Sequence, residues 1–219
     1  MSLAIVGCWE DHAIVAADSA ACVKVNGRIS PMHLFNKIHQ LSASSVVATG
    51  RGTGIVFASL IMECVAPALR LDGLAENMPV VFQRANRRVE NHPEMTANAT
   101  VENPWATEFI IVGRSRKHGG MAGYVFAQSA RDTLTRREIC PGSAWFGPWY
   151  PEWGLQPCID DIATDAGIVS VATQQRDALL NRGEERGGPG IAGGPLVVAR
   201  LDRSRITIEQ IADLGTGRT

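Results

Sequence analysis

The sequence predicts an α+β fold, and three observations support this prediction. Short β-branched and apolar runs open the chain, two long helical patterns follow, and further short runs precede a helical region and a closing hairpin. Strands and helices therefore occur in blocks rather than in strict alternation, which is the order typical of α+β proteins. The 219 residues show neither an internal repeat nor a linker, so a single domain over residues 1–219 is predicted.

The strand predictions rest on short apolar runs bounded by turn residues. A polar break of hairpin size, Glu10-Asp11-His12, separates the first two runs, and Asn26-Gly27 is a strong turn signal after the third. The last two runs flank Asp202-Arg203-Ser204 and predict a final hairpin. The predicted strands lie at residues 3–9, 13–17, 22–25, 37–41, 45–49, 107–112, 121–126, 133–139, 196–201 and 206–211.

The helix predictions rest on longer apolar patterns. Residues 52–71 are too long an apolar run for a strand and predict a mostly buried helix, whereas residues 74–91 predict a more amphipathic one. Residues 157–181 predict one or two further helices. The Pro, Gly and aromatic residues of segment 145–154 predict an aromatic loop, and the glycine-rich segment 187–194 predicts an irregular connection.

Composition excludes several classes of function. The net charge is -1, from 21 basic and 22 acidic residues, which predicts neither a nucleic-acid partner nor an acidic membrane surface as a partner. No apolar run is long enough to span a bilayer and the N-terminus lacks the pattern of a signal peptide, so a cytoplasmic protein is expected. The odd number of cysteines, five, favours reduced thiols over a disulfide framework.

The N-terminus carries the strongest functional signal. Ser2 follows Met1 directly, and an initiator Met before a small residue is commonly removed, which would place a hydroxyl and a free α-amine on one residue. An α-amino group has a reference pKa of about 7.7 to 8.0 and can accept the hydroxyl proton near neutral pH. Ser2 is thus a candidate N-terminal nucleophile, although a second-position Ser is most often an ordinary residue.

Four further motifs give a family resemblance. Asp18 lies in Val15-Ala16-Ala17-Asp18-Ser19, sixteen positions after Ser2, and Lys37 opens a later predicted strand. Gly50 follows in Ala48-Thr49-Gly50-Arg51-Gly52, and Ser143 ends Pro141-Gly142-Ser143. Together these motifs resemble the proteasome β-type subunits and their bacterial relatives among the N-terminal nucleophile hydrolases. The resemblance is good over residues 2–65, and Ser2 stands where that family has Thr.

The resemblance implies a fold and a role for each residue. It implies a four-layer αββα sandwich, with Ser2 as the nucleophile and Ser143 hydrogen-bonded to the terminal amine. A buried Lys37, kept charged by Asp18, would lower the pKa of both the Ser2 hydroxyl and its amine. The Gly50 N–H would receive the oxyanion at a strand-to-helix turn. Each residue also has a plainer interpretation: a capping Asp, a solvated Lys, a tight Gly turn or a simple Pro-Gly-Ser turn.

Other site predictions are weaker or negative. The acidic partner that the family places after its last long helix has no clear counterpart, and Asn181, Glu184 and Glu185 are the nearest candidates. The scattered His residues lack ligand spacing, so no metal is predicted. Segment 187–194 lacks the Gly-Lys-Ser/Thr ending of a phosphate loop, and no cofactor is expected.

The resemblance implies hydrolysis of amide bonds, in peptides or unfolded polypeptides, through an acyl-enzyme on Ser2. A homo-oligomer is expected, as a ring or an open spiral, because the aromatic segment 145–153 would otherwise leave an exposed apolar patch. Two alternatives stay open: a noncatalytic structural subunit of a proteasome-like ring, and an amidase for a small nonpeptide substrate. The sequence identifies no ATPase partner.

Overall fold

Strands dominate the architecture of the computed structural model, which describes residues 3–25, 28–32, 35–41, 45–65, 69–91, 105–130, 133–148, 157–185 and 192–216. The twelve strands of these segments are β1 Ala4–Cys8, β2 Ala13–Asp18, β3 Ala21–Val25, β4 Arg28–Met32, β5 His39–Leu41, β6 Val46–Gly52, β7 Thr107–Arg114, β8 Met121–Ala130, β9 Thr133–Ile139, β10 Ser143–Gly147, β11 Gly193–Leu201 and β12 Ile206–Thr216.

The strands form two five-stranded antiparallel sheets and a ribbon. The first sheet has the order β10-β1-β2-β11-β12, and the second has the order β5-β6-β7-β8-β9. The ribbon pairs β3 with β4. The helices of the described segments are α1 Gly54–Val65, α2 Leu71–Glu90 and α3 Asp165–Glu185, with a short 3-10 turn at Asp160–Ile162.

The predicted fold class, an α+β four-layer αββα sandwich, is wrong. About 44% of the structure is strand, in two antiparallel sheets, and the described residues contain only three α-helices, so the fold is mostly β. The sequence pattern underestimated the strands: it missed β4 and β10, the second of which takes residues 145–147 out of the predicted aromatic loop. Region 157–181, where one or two helices were expected, forms one α-helix after a short 3-10 turn.

Three apolar clusters hold these elements together, and strand alternation explains why a strand contributes to two of them. Successive side chains point to opposite faces, so Val6 faces the second sheet whereas its neighbour Ile5 faces α3. The cluster between the sheets also contains Val47, Ile110 and Val112. On the other face of the second sheet, Phe109 and its neighbours pack against α1 and α2.

Most element predictions are confirmed with shifted ends. Strands were expected at the positions of β1, β2, β3, β5 to β9, β11 and β12, and helices at α1, α2 and α3. The irregular connection predicted for 187–194 is wrong at its end, because β11 already begins at Gly193; residues 187–191 lie outside the described segments. None of the helices in the described segments is both long and apolar enough to cross a membrane.

Candidate active site

A buried carboxylate, Asp18, lies at the end of β2 beside the start of β1. Its side chain is 0% exposed. Its Oδ1 atom accepts the backbone N–H of Leu3 at 3.0 Å, and its Oδ2 atom accepts the backbone N–H of Gly193 at 3.1 Å. Antiparallel pairing explains the first contact, since Ala4 pairs with Ala17 and Leu3 and Asp18 are the next residues along each strand.

A buried lysine, Lys37, balances the negative charge of this carboxylate. The Lys37 ammonium donates to Asp18 Oδ1 at 2.7 Å, and its side chain is 6% exposed. It also donates to the backbone carbonyl of Ala20. The pairing of Asp18 with Lys37 is the arrangement expected from the sequence, and the interpretation of Lys37 as a solvated edge charge is wrong.

The backbone around Lys37 is fixed on both sides. The N–H of Phe35 donates to the carbonyl of Ser19 at 3.2 Å, which joins this segment to the end of β2. The Asn36 side chain accepts the N–H of Ile38 at 3.1 Å, in an Asx-type turn, and Ile38 is buried between the sheets. Lys37 is therefore directed at Asp18 by local turn chemistry and by an apolar anchor.

Burial makes this ion pair energetically costly to disrupt. Two charges removed from water pay a desolvation penalty that mutual attraction and further hydrogen bonds offset. Removing one partner leaves an uncompensated buried charge, which costs about 3 to 5 kcal/mol. Such a pair is a poor device for stability alone, because an apolar pair of similar volume is often at least as stable. A functional role for it is the more economical explanation.

Gly193 is a member of the site that the sequence analysis missed. It has a φ of +130°, and a Cβ at this position would lie 2.0 Å from the Gly215 carbonyl oxygen. Only glycine fits both conditions. The residue is 175 positions from Asp18, so no local pattern could link the two; the Gly193-Gly194 pair before a strand is the one available signal.

Gly50 lies inside β6, an interior strand of the second sheet, rather than at the predicted strand-to-helix turn. The β5–β6 register pairs His39 with Ala48, and continuing it by two residues reaches Lys37 on one strand and Gly50 on the other. A Cβ on Gly50 would lie 2.3 Å from the Glu108 carbonyl oxygen and 3.0 Å from the Phe57 ring. Close packing therefore requires glycine here, whatever further role its N–H has.

The structure does not bring Ser143 to this group. Ser143 pairs with Cys8, at the other end of β1 from Leu3, which is about 17 Å away along an extended strand. Its hydroxyl donates to the Cys140 carbonyl at 2.6 Å and closes a turn, which is the plainer interpretation of the Pro-Gly-Ser motif. On the β10 side the register ends with Gly147 opposite Ala4, so the Gly147 end of β10, and not its Ser143 end, lies toward Leu3.

The remaining predicted site residues lie partly outside the described residues and partly on α3. Ser2 lies outside the described residues, and so do the side chains of Glu184 and Glu185, although their backbone belongs to α3. Asn181 is an exposed residue of the same helix. His39, beside the Phe57 ring, has its pKa lowered by burial, which outweighs the opposing hydrogen bond to the Asn36 carbonyl.

One cluster of possible metal ligands occurs in the described part of the chain. It consists of His118, Glu138 and Cys140, whose ligand atoms lie within 4.8 Å of one another. The cluster lies at the Cys8 end of β1, because the Gly142 N–H, in the turn after Cys140, donates to the Cys8 carbonyl. The Asp18–Lys37 pair lies at the opposite end of the same strand. The cluster is therefore separate from the candidate active site.

Comparison with solved structures identifies proteins that share this fold. Neither a protein-family model nor a curated protein sequence matches the chain. Its structure is similar to that of an Anbu Gly-1 mutant from Hyphomicrobium sp. strain MC1, with 13% identity, a TM-score of 0.53 and coverage of 97% of this chain and 88% of that chain.

A second similar structure is Anbu, described as an ancestral beta-subunit, from Yersinia bercovieri. The identity is 14%, the TM-score is 0.56, and the match covers 96% of this chain and 87% of that chain. At these identities the similarity shows a shared fold.

Proposed function

We propose that the chain is a proteasome-like N-terminal nucleophile hydrolase that cleaves amide bonds with Ser2 after loss of Met1. The observation that carries the proposal is the buried Asp18–Lys37 ion pair, 2.7 Å between charged atoms, next to the Leu3 N–H. Ser2 is bonded to Leu3, and covalent geometry keeps their Cα atoms about 3.8 Å apart. The one residue able to offer both hydroxyl and α-amine is thus tethered beside the pair.

The proposed chemistry divides between the terminal amine and Lys37. The α-amine of Ser2 accepts the hydroxyl proton as the oxygen attacks the carbonyl carbon of the substrate, and returns it to the leaving amine. The fixed positive charge of Lys37 favours the developing negative charge, and Asp18 keeps that lysine charged. Water then releases the acyl group from Ser2.

The Gly50 N–H is the proposed oxyanion donor. If the β5–β6 register is continued two residues beyond the His39–Ala48 pair, Lys37 is opposite Gly50. Both groups would then lie on the same side of the carbonyl oxygen of a bound substrate. Ser143 has no part in this mechanism, because its hydroxyl closes a turn at the far end of β1.

The proposed substrates are peptides or unfolded polypeptides, and the proposed assembly is a homo-oligomeric ring or spiral. The similarity to a protein described as an ancestral beta-subunit supports an assembly. The aromatic argument for assembly is weaker than expected, because Trp145 is buried between the two sheets. Exposed Met62 and Val65, one turn apart on α1, offer a different apolar patch.

The test combines intact mass with peptide hydrolysis. Purified protein is expected to lack Met1 and to hydrolyse fluorogenic peptide amides, whereas Ser2→Ala is expected to keep its fold and lose that activity. Retention of Met1 in an inactive protein would favour the noncatalytic ring subunit. Activity of Ser2→Ala equal to that of the wild type, in samples free of other proteases, would refute the nucleophile assignment.

A further inference from the structure

A second chemical cluster, His118, Glu138 and Cys140, lies where the turn between β7 and β8 meets the end of β9. The Cys140 Sγ is 3.9 Å from the His118 Nδ1, and the His118 Nε2 is 3.2 Å from a carboxylate oxygen of Glu138. The imidazole thus lies between the thiol and the carboxylate, with a different ring nitrogen toward each. This is the order of a nucleophile, its base and the group that orients the base.

The same geometry argues against a metal ion. A metal binds one nitrogen of an imidazole, whereas here the thiol and the carboxylate face opposite nitrogens. Glu138 is also already paired: Lys117 contacts its two oxygens at 2.6 and 2.9 Å, and Arg136 contacts one at 2.8 Å. Two cations beside the carboxylate oppose the approach of a divalent cation.

The base and its carboxylate are held in place. Arg136 lies over the Tyr124 ring at 4.5 Å and positions Glu138, and the His118 ring packs 6.2 Å from the same tyrosine. The His118 Nε2 is buried and close to Glu138 but not aligned for a hydrogen bond. When the imidazole takes a proton on Nδ1, the positive charge of the ring would therefore lie beside the Glu138 carboxylate, which faces Nε2.

The thiol is presented by a tight turn. The Ser143 N–H donates to the Cys140 carbonyl at 3.1 Å, with Pro141 and a left-handed Gly142, φ +79°, between them. Cys140 is exposed, so a reagent from solvent can reach its sulfur. This assigns the Pro141-Gly142-Ser143 motif to the support of Cys140.

The other cysteines with described side chains lack this environment. Cys8 and Cys64 are buried, and burial raises the pKa of each thiol to about 12, which makes them poor nucleophiles. Cys158 is exposed like Cys140, but its neighbour is a carboxylate, since its N–H donates to Asp161 at 2.6 Å. Cys158 is thus a matched control thiol within the same chain.

We propose that Cys140, His118 and Glu138 form a nucleophilic thiol site that adds to soft carbon electrophiles of the α,β-unsaturated carbonyl class. His118 takes the thiol proton, and the sulfur forms an S–C bond at the β-carbon as the C=C π pair moves to the α-carbon. The imidazolium then returns its proton to the α-carbon, so no further reactant is needed. Glu138 acts as a positioning residue through His118.

The test is site-resolved labelling with N-ethylmaleimide, read by peptide mass spectrometry on the folded protein after EDTA treatment. Cys140 is expected to react at least about tenfold faster than Cys158 at pH 7. His118→Gln is expected to reduce the Cys140 rate to that of Cys158 and leave the Cys158 rate unchanged. Cys140→Ser verifies the peptide assignment, and circular dichroism verifies that the variants fold.

A pH profile separates an active base from structural support. The wild-type Cys140 rate is expected to level off below the pH at which Cys158 does, and Glu138→Gln is expected to move that midpoint upward. Among the residues that the structure describes, the charged and titratable groups that face the cluster are Lys117 of the same turn, Glu138 and Arg136 of β9, Tyr124 of β8, Cys8 of β1 and Asp72 of α2.

Two outcomes would overturn the proposal. Equal rates and equal pH midpoints at Cys140 and Cys158 would show that His118 does not act on the thiol. One equivalent of Zn²⁺ that binds below micromolar concentration and abolishes Cys140 labelling, with binding lost in both His118→Gln and Glu138→Gln, would assign the cluster to a metal instead.

Discussion

The two ends of β1 use charged residues in opposite ways. At the Leu3 end a single carboxylate and a single ammonium are buried together, with Asp18 fixed by two backbone N–H groups. At the Cys8 end the charges of Lys117, Arg136 and Glu138 are exposed or partly so, and form a surface network. One strand therefore separates a desolvated pair from a solvated cluster by about 17 Å.

The difference lies in what each arrangement costs and what it can do. A surface ion pair contributes little, commonly about 0 to 1 kcal/mol, because water and salt screen it. A buried pair fixes the position of an unscreened charge, which is the property that an adjacent nucleophile requires. We therefore expect substitutions at the Leu3 end to alter both stability and chemistry, and those at the Cys8 end to alter thiol reactivity with only a small effect on stability.

The largest expected stability effect is that of Asp18→Ala. It leaves the Lys37 charge buried without its carboxylate and two backbone N–H groups without their acceptor, so a loss of about 3 to 5 kcal/mol is expected. Urea unfolding followed by circular dichroism measures it. The double variant Asp18→Ala/Lys37→Met should lose less than the sum of the single losses; strict additivity would show that the two groups do not interact.

A smaller loss is expected from Gly193→Ala. The new Cβ would meet the Gly215 carbonyl, and a φ of +130° is strained for alanine, so a loss of about 1 to 3 kcal/mol is expected. Because Gly193 donates to Asp18, peptide hydrolysis should fall as well. Gly119→Ala, at a φ of +70° with open space around its Cβ, is the matched control, expected to affect stability but not hydrolysis.

How much of this could be predicted depended on sequence distance. The β1 and β2 hairpin follows from local apolar runs, so it was predictable from the residues alone. The Asp18–Lys37 pair was predictable only through the family resemblance, because the spacing of the two residues does not by itself indicate a contact. The contribution of Gly193 was not predictable, because strand pairing between β2 and β11 joins residues far apart in the chain. Strand β10 was missed because residues 143–147 lie among Pro, Gly and Trp residues, a composition that predicts a loop.

Ser143 illustrates a different limit. A short Pro-Gly-Ser motif is compatible with an active-site turn and with an ordinary one, and only the β1–β10 register distinguishes them. The same register places Gly147, in a segment whose aromatic composition predicted a loop, opposite Ala4 at the Leu3 end of β1. Motif matching beyond residue 65 therefore selected the wrong end of β10.

The smallest expected effect is the loss of folding stability at acidic pH that comes from Glu138, at the Cys8 end of β1. The pKa of Glu138 is lowered from its ordinary 4.5, first by the hydrogen bond from Lys117, so the unfolded chain takes up this proton before the folded chain does. The resulting stability is present above pH 4.5 and is lost as pH falls through the lowered value. Glu138→Gln should make the melting temperature depend slightly less on pH over this window. An unchanged slope of melting temperature against pH would contradict the prediction.

Covalent labelling of Ser2 tests the central claim, that the buried pair serves the N-terminal nucleophile, most directly. A β-lactone inhibitor should add one acyl group to the N-terminal peptide of the wild type and none to Ser2→Ala. Lys37→Met should label at least about 100-fold more slowly, whereas Arg51→Met, which breaks the partly exposed pair with Glu108, should label within about twofold of the wild type. Equal labelling rates for the two variants, with both folded, would contradict the account.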